Sequence, residues 1–207
     1  ALKKLNISGN NLTSIDLSLN TALETLLAEG SKLTALDVSK NKQLKDLDCD
    51  SNQLTSLDVS SNNALLFLSC SNNKLSSLNL KNGNNTNFLK TRGVYFQKFD
   101  GNYGLDYYAS LKYNPSLTCI QVDDVTFAQT NLSDIKDNGT YFTSLDCSLS
   151  TIILDPKFED KLIALQIDKD GKNGAVLTSS INTVTSLNVS NSSISDLTGI
   201  EGFTSLK

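Results

Sequence analysis

The stretch Leu33–Gln53, LTALDVSKNKQLKDLDCDSNQ, decides the fold, because the chain spells it more than once. It is repeated from Leu54 as LTSLDVSSNNALLFLSCSNNK and foreshadowed from Leu12 as LTSIDLSLNTALETLLAEGSK. Leu12, Leu33, Leu54 and Leu75 open units that lie 21 residues apart. A fixed period of this length marks a solenoid, whose units pack chiefly on their neighbours.

Each unit carries two apolar ladders. Leu44, Leu47, Cys49, Asn52 and Leu54 read L-x-x-L-x-C-x-x-N-x-L, the leucine-rich-repeat motif. Leu54, Leu57, Val59, Asn62 and Leu65 read L-x-x-L-x-V-x-x-N-x-x-L. Both halves alternate apolar and polar residues with period two, the pattern of a short half-buried strand. The predicted fold is a leucine-rich-repeat solenoid, α/β by convention but mostly β and coil here. It should have parallel short strands on both sides of each coil and capping segments at its ends.

Stacking the units writes out columns. Ile7, Ala28, Cys49 and Cys70 share an inward column. Because Ile and Ala occupy the same column, the cysteines read as small apolar filler rather than redox or metal groups. Asn10, Ser31, Asn52 and Asn73 form one corner column, and Asn20, Asn41 and Asn62 another. A turning backbone leaves N–H and C=O groups that such amides can satisfy in the next coil. Cys49, Cys70, Asn10, Asn52 and Asn73 are therefore assigned to a structural ladder.

Outward, the two sides differ. Ser14/Ala35/Ser56/Ser77, Asp16/Asp37/Asp58/Asn79 and Ser18/Ser39/Ser60/Lys81 are monotonous and small. A flat row of single carboxylates lacks the cage of about 6–8 oxygens that calcium takes. On the other strand the columns change from coil to coil: Lys4/Thr25/Asp46/Phe67/Phe88, Asn6/Leu27/Asp48/Ser69/Lys90 and Ser8/Glu29/Asp50/Ser71/Arg92. Constant positions build a repeat scaffold, whereas positions varying on one face are where recognition is written. Asp46, Asp48, Asp50, Phe67, Phe88, Lys90 and Arg92 are accordingly the candidate partner-binding residues. Two readings of Phe67 and Phe88 stand open: an exposed aromatic contact patch, or rings packed beneath the aromatic-rich segment that follows.

Composition narrows the chemistry. The chain has no His, Met or Trp, so the commonest general base and metal ligand is missing. Its four cysteines include no C-x-x-C pair, which speaks against a paired-ligand zinc site. A formal net charge of −4 makes a nucleic-acid partner improbable. No stretch reaches the ~18–20 apolar residues of a membrane span. Neither a cofactor nor a metal is expected. The opening ALKKLNISGNNL falls in mid-repeat, so the chain is read as part of a longer one.

Beyond Asn82 the pattern decays, with Thr86 where a leucine is due. An open stack needs its last layer covered, and Tyr95, Phe96, Phe99, Tyr103, Tyr107, Tyr108 and Tyr113 are candidates for that cover. Cys119 and Cys147 lie outside the ladder and form a candidate disulfide. From Asp155 the texture changes. DPKFEDKLIALQI places Phe158, Leu162 and Leu165 on one helical face, with Pro156 at the first turn. VTSLNVSNSSISDLTGIEGFTSL then spans one further repeat. The expected organisation is an array over 1–93, an irregular C-terminal cap over 94–150, and over 151–207 a cap helix with the first coil of a second array. Asp168, Asp170 and Gly171 suggest an acidic calcium loop, but position five is Lys172 and position twelve Ser179, so a solvated turn is the better reading.

The unit L-x-x-L-x-C-S/D-x-N-x-L-T-x-L-D-V-S-x-N resembles the cysteine-bearing 21-residue repeat of internalin-like bacterial surface proteins. NPSLTCIQVDD and FEDKLIALQID…VTSLNVS…ISDLTGIEGFTSL are similar to segments of large secreted leucine-rich-repeat proteins of the Bacteroidetes group. The resemblance covers nearly all the chain except about Leu89 to Tyr113. It implies a non-enzymatic, secreted or cell-surface recognition or adhesion module with a protein or glycan ligand. A spacer within a large secreted protein is the alternative. A hydrolase using Asp46 and Asp48 is disfavoured, because an open face excludes no water.

Overall fold

A computed structural model describes residues 1–88 and 109–207. Two compact units emerge, residues 1–140 and 141–207.

The first unit is a leucine-rich-repeat solenoid. Its strands are β1 (Lys4–Asn6), β2 (Thr25–Leu27), β3 (Asp46–Asp48), β4 (Ser56–Asp58), β5 (Phe67–Ser69), β6 (Ser77–Asn79) and β7 (Cys119–Gln121). β1, β2, β3 and β5 pair in parallel on one side, with Leu5, Leu26, Leu47 and Leu68 in register. β4, β6 and β7 pair in parallel on the other side, where Leu57, Leu78 and Ile120 align. Leu26, Leu47, Leu68, Leu57, Leu78 and Ile120 are buried and fill the interior between the two sides. The second side is paired as strand only from β4 onward. In the preceding coils, Ser14–Asp16 and Ala35–Asp37 are irregular.

The corner ladder supplies the bonds the turns leave unmade. Asn73 Nδ2 donates to the carbonyls of Cys49, Cys70 and Ser71 at 3.0–3.1 Å, while its Oδ1 accepts from Leu54 N. Asn52 does the same one coil earlier, with Ala28, Cys49, Asp50 and Leu33 N. In the second column, Asn41 bridges to Leu17 and Asn20, and Asn62 to Val38 and Asn41. Asn10, in the first coil, bonds only its own turn, at Ile7 and Ser8.

Parallel pairing does not stop at residue 93. Cys49 N and Ser51 N donate to Ser69 O and Ser71 O, and the same pattern recurs as Cys70 N to Ser110 O and Asn72 N to Lys112 O. Asn114 then takes the ladder position, bonding Leu75 N, Cys70 O and Leu111 O. Ser110 to Val122 is therefore a further coil of the array. The layer beyond it is α1 (Val125–Asn131), capped by Asp124, and a 3-10 turn at Ser133–Ile135. Ile135 O accepts from Leu111 N, and Thr140 Oγ1 donates to Leu117 O, so this segment closes the end of the stack. Tyr113 is exposed, and the six other aromatic residues named for the cover lie outside the described residues.

The second unit holds β8 (Tyr141–Thr143), β9 (Ser150–Ile152), α2 (Pro156–Ala164), β10 (Ala175–Leu177) and the short α3 (Thr178–Ile181). β9 and β10 pair antiparallel. Pro156 occupies the first turn of α2 and Asp155 caps it through Lys157 N and Phe158 N. Phe158 and Leu162 are fully buried with Ile153, Val176, Ile181 and Phe203. Leu165, expected on the same face, lies one residue beyond the helix and is exposed. The repeat-like run from Val184 to Leu206 is built of turns, with Leu187, Val189 and Ile194 half-buried against that core. Gly199 has φ +102°, and a Cβ there would sit 2.5 Å from Ile152 O, so no side chain fits.

Candidate recognition face

The varied face is the outer side of β1, β2, β3 and β5. Register sets Lys4, Thr25, Asp46 and Phe67 in one row, and Asn6, Leu27, Asp48 and Ser69 in the next. Because strand side chains alternate, these residues point away from the leucine interior.

Variation on an outward face was the reason for choosing them. The carboxylates depart from the open face expected, whereas burial of Phe67 and Phe88 agrees with the packed reading left open beside the exposed one. Phe67 is 0% exposed, Asp46 1% and Asp48 5%, and Phe88 is buried too. The open aromatic and carboxylate patch does not exist in this structure. Outward direction on a strand does not guarantee solvent, since any chain laid over the sheet buries its outer side. The hydrolase reading loses its open carboxylate pair for the same reason. The accessible part of the face is Lys4, Asn6, Ser8 and Glu29, with Leu27, Asp50 and Ser71 half-buried.

Lys90 and Arg92 lie outside the described residues. Their expected places beside Ser69 and Ser71 are taken by Ser110 and Lys112. A strict 21-residue count failed here because the described register jumps from Ser69 to Ser110.

Asp50 is the best-defined polar centre on the face. Both of its carboxylate oxygens accept from Ser69 Oγ at 2.8 Å, and Oδ1 also accepts from Ser71 N at 2.6 Å. Asp50 N donates to Asp48 Oδ1 at 3.3 Å. Burial, and then the neighbouring Asp48 charge, push its carboxyl up to about 6 against those hydrogen bonds. At the rim, Glu24 pairs with Lys3 at 2.7 Å and Lys45 at 2.8 Å, joining three successive coils. The hydrogen bond from Lys3 and then that from Lys45 hold the Glu24 carboxyl down at about 2.

The monotonous second side has its own explanation. Asp16, Asp37 and Asp58 each accept from the backbone N–H two residues on, at Ser18, Ser39 and Ser60, over 2.8–2.9 Å. Asn79 does this for Lys81 N. These are Asx turns that bend the chain out of the strand. Sequence reasoning passed over them, although the signal D-x-S recurs at Asp16, Asp37 and Asp58. The bond to Ser18 N, and the Ser39 hydroxyl, hold Asp16 and Asp37 below the usual carboxylate range. Among the described residues no group of three or more Cys, Asp or Glu is placed to hold a metal ion.

Cys49 and Cys70 are free and fully buried, and burial raises both thiols well above their ordinary range. Cys119 and Cys147 are not among the free cysteines. No helix among the described residues is long and apolar enough to cross a membrane.

No protein-family model and no curated protein matches the chain. A solved structure, the functional domain of InlJ from Listeria monocytogenes, which includes a cysteine ladder, is similar to it. The two are 28% identical with a TM-score of 0.45, over 70% of this chain and 32% of that one.

Proposed function

We propose that this protein is a non-catalytic recognition module, secreted or held at a cell surface, that binds a protein or glycan through the outer face of β1, β2, β3 and β5. One observation carries the reading. The second side spends its outward polar residues on turns repeated coil after coil, whereas the first side keeps its register and changes charge and size at each rung. A hydrogen-bonded sheet of this kind is preformed, so binding orders few groups and loses little entropy. The contact residues are the accessible ones, Lys4, Asn6, Ser8 and Glu29, with half-buried Asp50 and Ser71 at their margin. Asp46, Asp48, Phe67 and Phe88 are buried and are not among them.

The test is a glycan array and a cell-surface protein array probed with the parent and with the double variant Lys4→Glu/Glu29→Lys. Binding that the parent shows and the folded variant loses supports the reading. A parent that binds nothing on either array sinks it and favours a spacer that extends other domains.

A further inference from the structure

A glycine that follows asparagine leaves the amide open to attack from its own backbone, because a residue without Cβ does not shield its nitrogen from the preceding side chain. The chain holds three such pairs, Asn82–Gly83, Asn138–Gly139 and Asn173–Gly174. Their surroundings differ.

Two pairs are held at both reacting groups. Asn82 is buried, its Nδ2 donates to Asn62 O at 3.0 Å, and its Oδ1 accepts from Asn84 N at 2.9 Å. Gly83 N donates to Asp123 Oδ2 at 2.8 Å. Asn173 belongs to the loop DKDGKNG, which is not the solvated turn expected, since Asp168 and Asn173 are both buried. Asn173 Nδ2 donates to Asp170 Oδ2 at 3.0 Å, and its Oδ1 accepts from Ala175 N at 3.1 Å. Gly174 N donates to Glu159 Oε1 at 2.6 Å. In each pair the amide is fixed at both ends and the glycine nitrogen is engaged by a carboxyl group.

Asn138 and Gly139 are both exposed in a turn. Gly139 has φ +87°, and a Cβ there would meet nothing within 4 Å. Among the described residues no hydrogen bond engages the Asn138 amide or Gly139 N. The turn is anchored on both sides. Asp137 Oδ2 accepts from Asn114 N at 3.0 Å, and the buried Thr140 donates from Oγ1 to Leu117 O at 2.7 Å. It thereby fastens the closing layer of the array to its last coil.

We propose that Asn138–Gly139 is a site of spontaneous deamidation, and that the modification slackens the turn closing the array. Gly139 N attacks Asn138 Cγ to form a cyclic imide. The Cγ–Nδ2 bond breaks, and ammonia leaves with the proton that Gly139 N gives up. Water then opens the imide at either carbonyl. One product has aspartate at position 138. The other has isoaspartate, whose main chain runs through the side chain and is longer by a methylene. Both place a new carboxylate beside Asp137, and the longer one strains the span between the Asn114 and Leu117 anchors.

The experiment incubates the full chain at neutral pH, folded and in urea, and follows each Asn-Gly peptide by mass spectrometry. In the folded chain Asn138 should convert about tenfold faster than Asn82 or Asn173, which react only on local opening. In urea the rates should converge. Comparable rates at all the pairs in the folded chain overturn the site, as does an Asn138 that stays intact there. The isoaspartyl form, purified by chromatography, should then unfold at lower urea than the parent. An unchanged midpoint overturns the slackening.

Discussion

Asn73 reaches back one coil to take the Cys49 carbonyl at 3.0 Å, and in the same turn takes the Cys70 carbonyl at 3.1 Å. This one amide ties successive coils at a corner where neither sheet can. Its Oδ1 accepts from Leu54 N, so both ends of the amide are engaged. By contrast, the Oδ1 atoms of Asn41 and Asn62 are buried without a hydrogen-bond partner among the described residues.

The two columns should therefore respond unequally to truncation. Asn73→Ala strands a donor and several carbonyls and is expected to cost about 3 kcal/mol or more, given about 1–3 kcal/mol per buried group left unpaired. Asn41→Ala also removes an unsatisfied acceptor and should cost measurably less. Urea unfolding of both variants checks the order.

A left-handed position precedes each residue of the first column and Asn114. Gly9, Gly30, Ser51, Asn72 and Tyr113 have φ between 55° and 70°. A Cβ on Gly30 would meet nothing nearer than 3.9 Å, so Gly30→Ala tests backbone strain alone. It should lose about 1 kcal/mol, while Ser51→Gly should be neutral or slightly stabilising, the strain relieved offsetting the entropy Gly brings to the unfolded chain. A destabilised Ser51→Gly would count against strain at this corner.

Cys49 and Cys70 should resist thiol reagents until the array unfolds, because the thiolate is the reactive species and burial disfavours it. Labelling rates that track the unfolding equilibrium under increasing denaturant are the expected result. Rapid native-state labelling would contradict the buried column. Cys70→Ala should fold and lose about 1–2 kcal/mol through the cavity it leaves.

Asp50 gives the array a pH dependence of definite sign. Its folded carboxyl is raised to about 6, whereas the unfolded value is about 3.9. Its contribution is present below the unfolded value and is lost as pH rises through the folded one. The array should thus weaken between about pH 4 and about pH 6, and Asp50→Asn should reduce that slope in a thermal-melt series. An unchanged slope in the variant would locate the titration elsewhere.

Asp155 carries the opposite sign in the second unit. Its carboxylate accepts from Ser195 Oγ and N, Asp196 N, and the first turn of α2. The Ser195 hydroxyl above all holds it well below the usual carboxylate range. That support is full above the unfolded value of about 3.9 and is lost progressively as pH falls below it. Asp155→Ala should lower the denaturant midpoint of the second unit far more than Ser195→Ala, which leaves the cap bonds of α2 intact. Equal effects would mean the cap contributes nothing.

By itself the sequence determined whatever repeats. The period of 21, the inward Leu and Cys columns and the corner asparagines follow from short-range pattern, because each coil sees the same neighbours. Helix α2 was legible from Pro156 and the spacing of Phe158 and Leu162, and even the Asx turns were written as D-x-S. Tertiary structure decided what depends on distant chain. Burial of Asp46, Asp48 and Phe67 depends on what lies over their sheet, and the partnership of Asp155 with Ser195 spans 40 residues. The pairing of Ser69 with Ser110 skips the expected neighbour. No local pattern encodes such relations, because they arise only when separate stretches of chain compete for the same surface and the lowest free energy of the whole chain selects the winner.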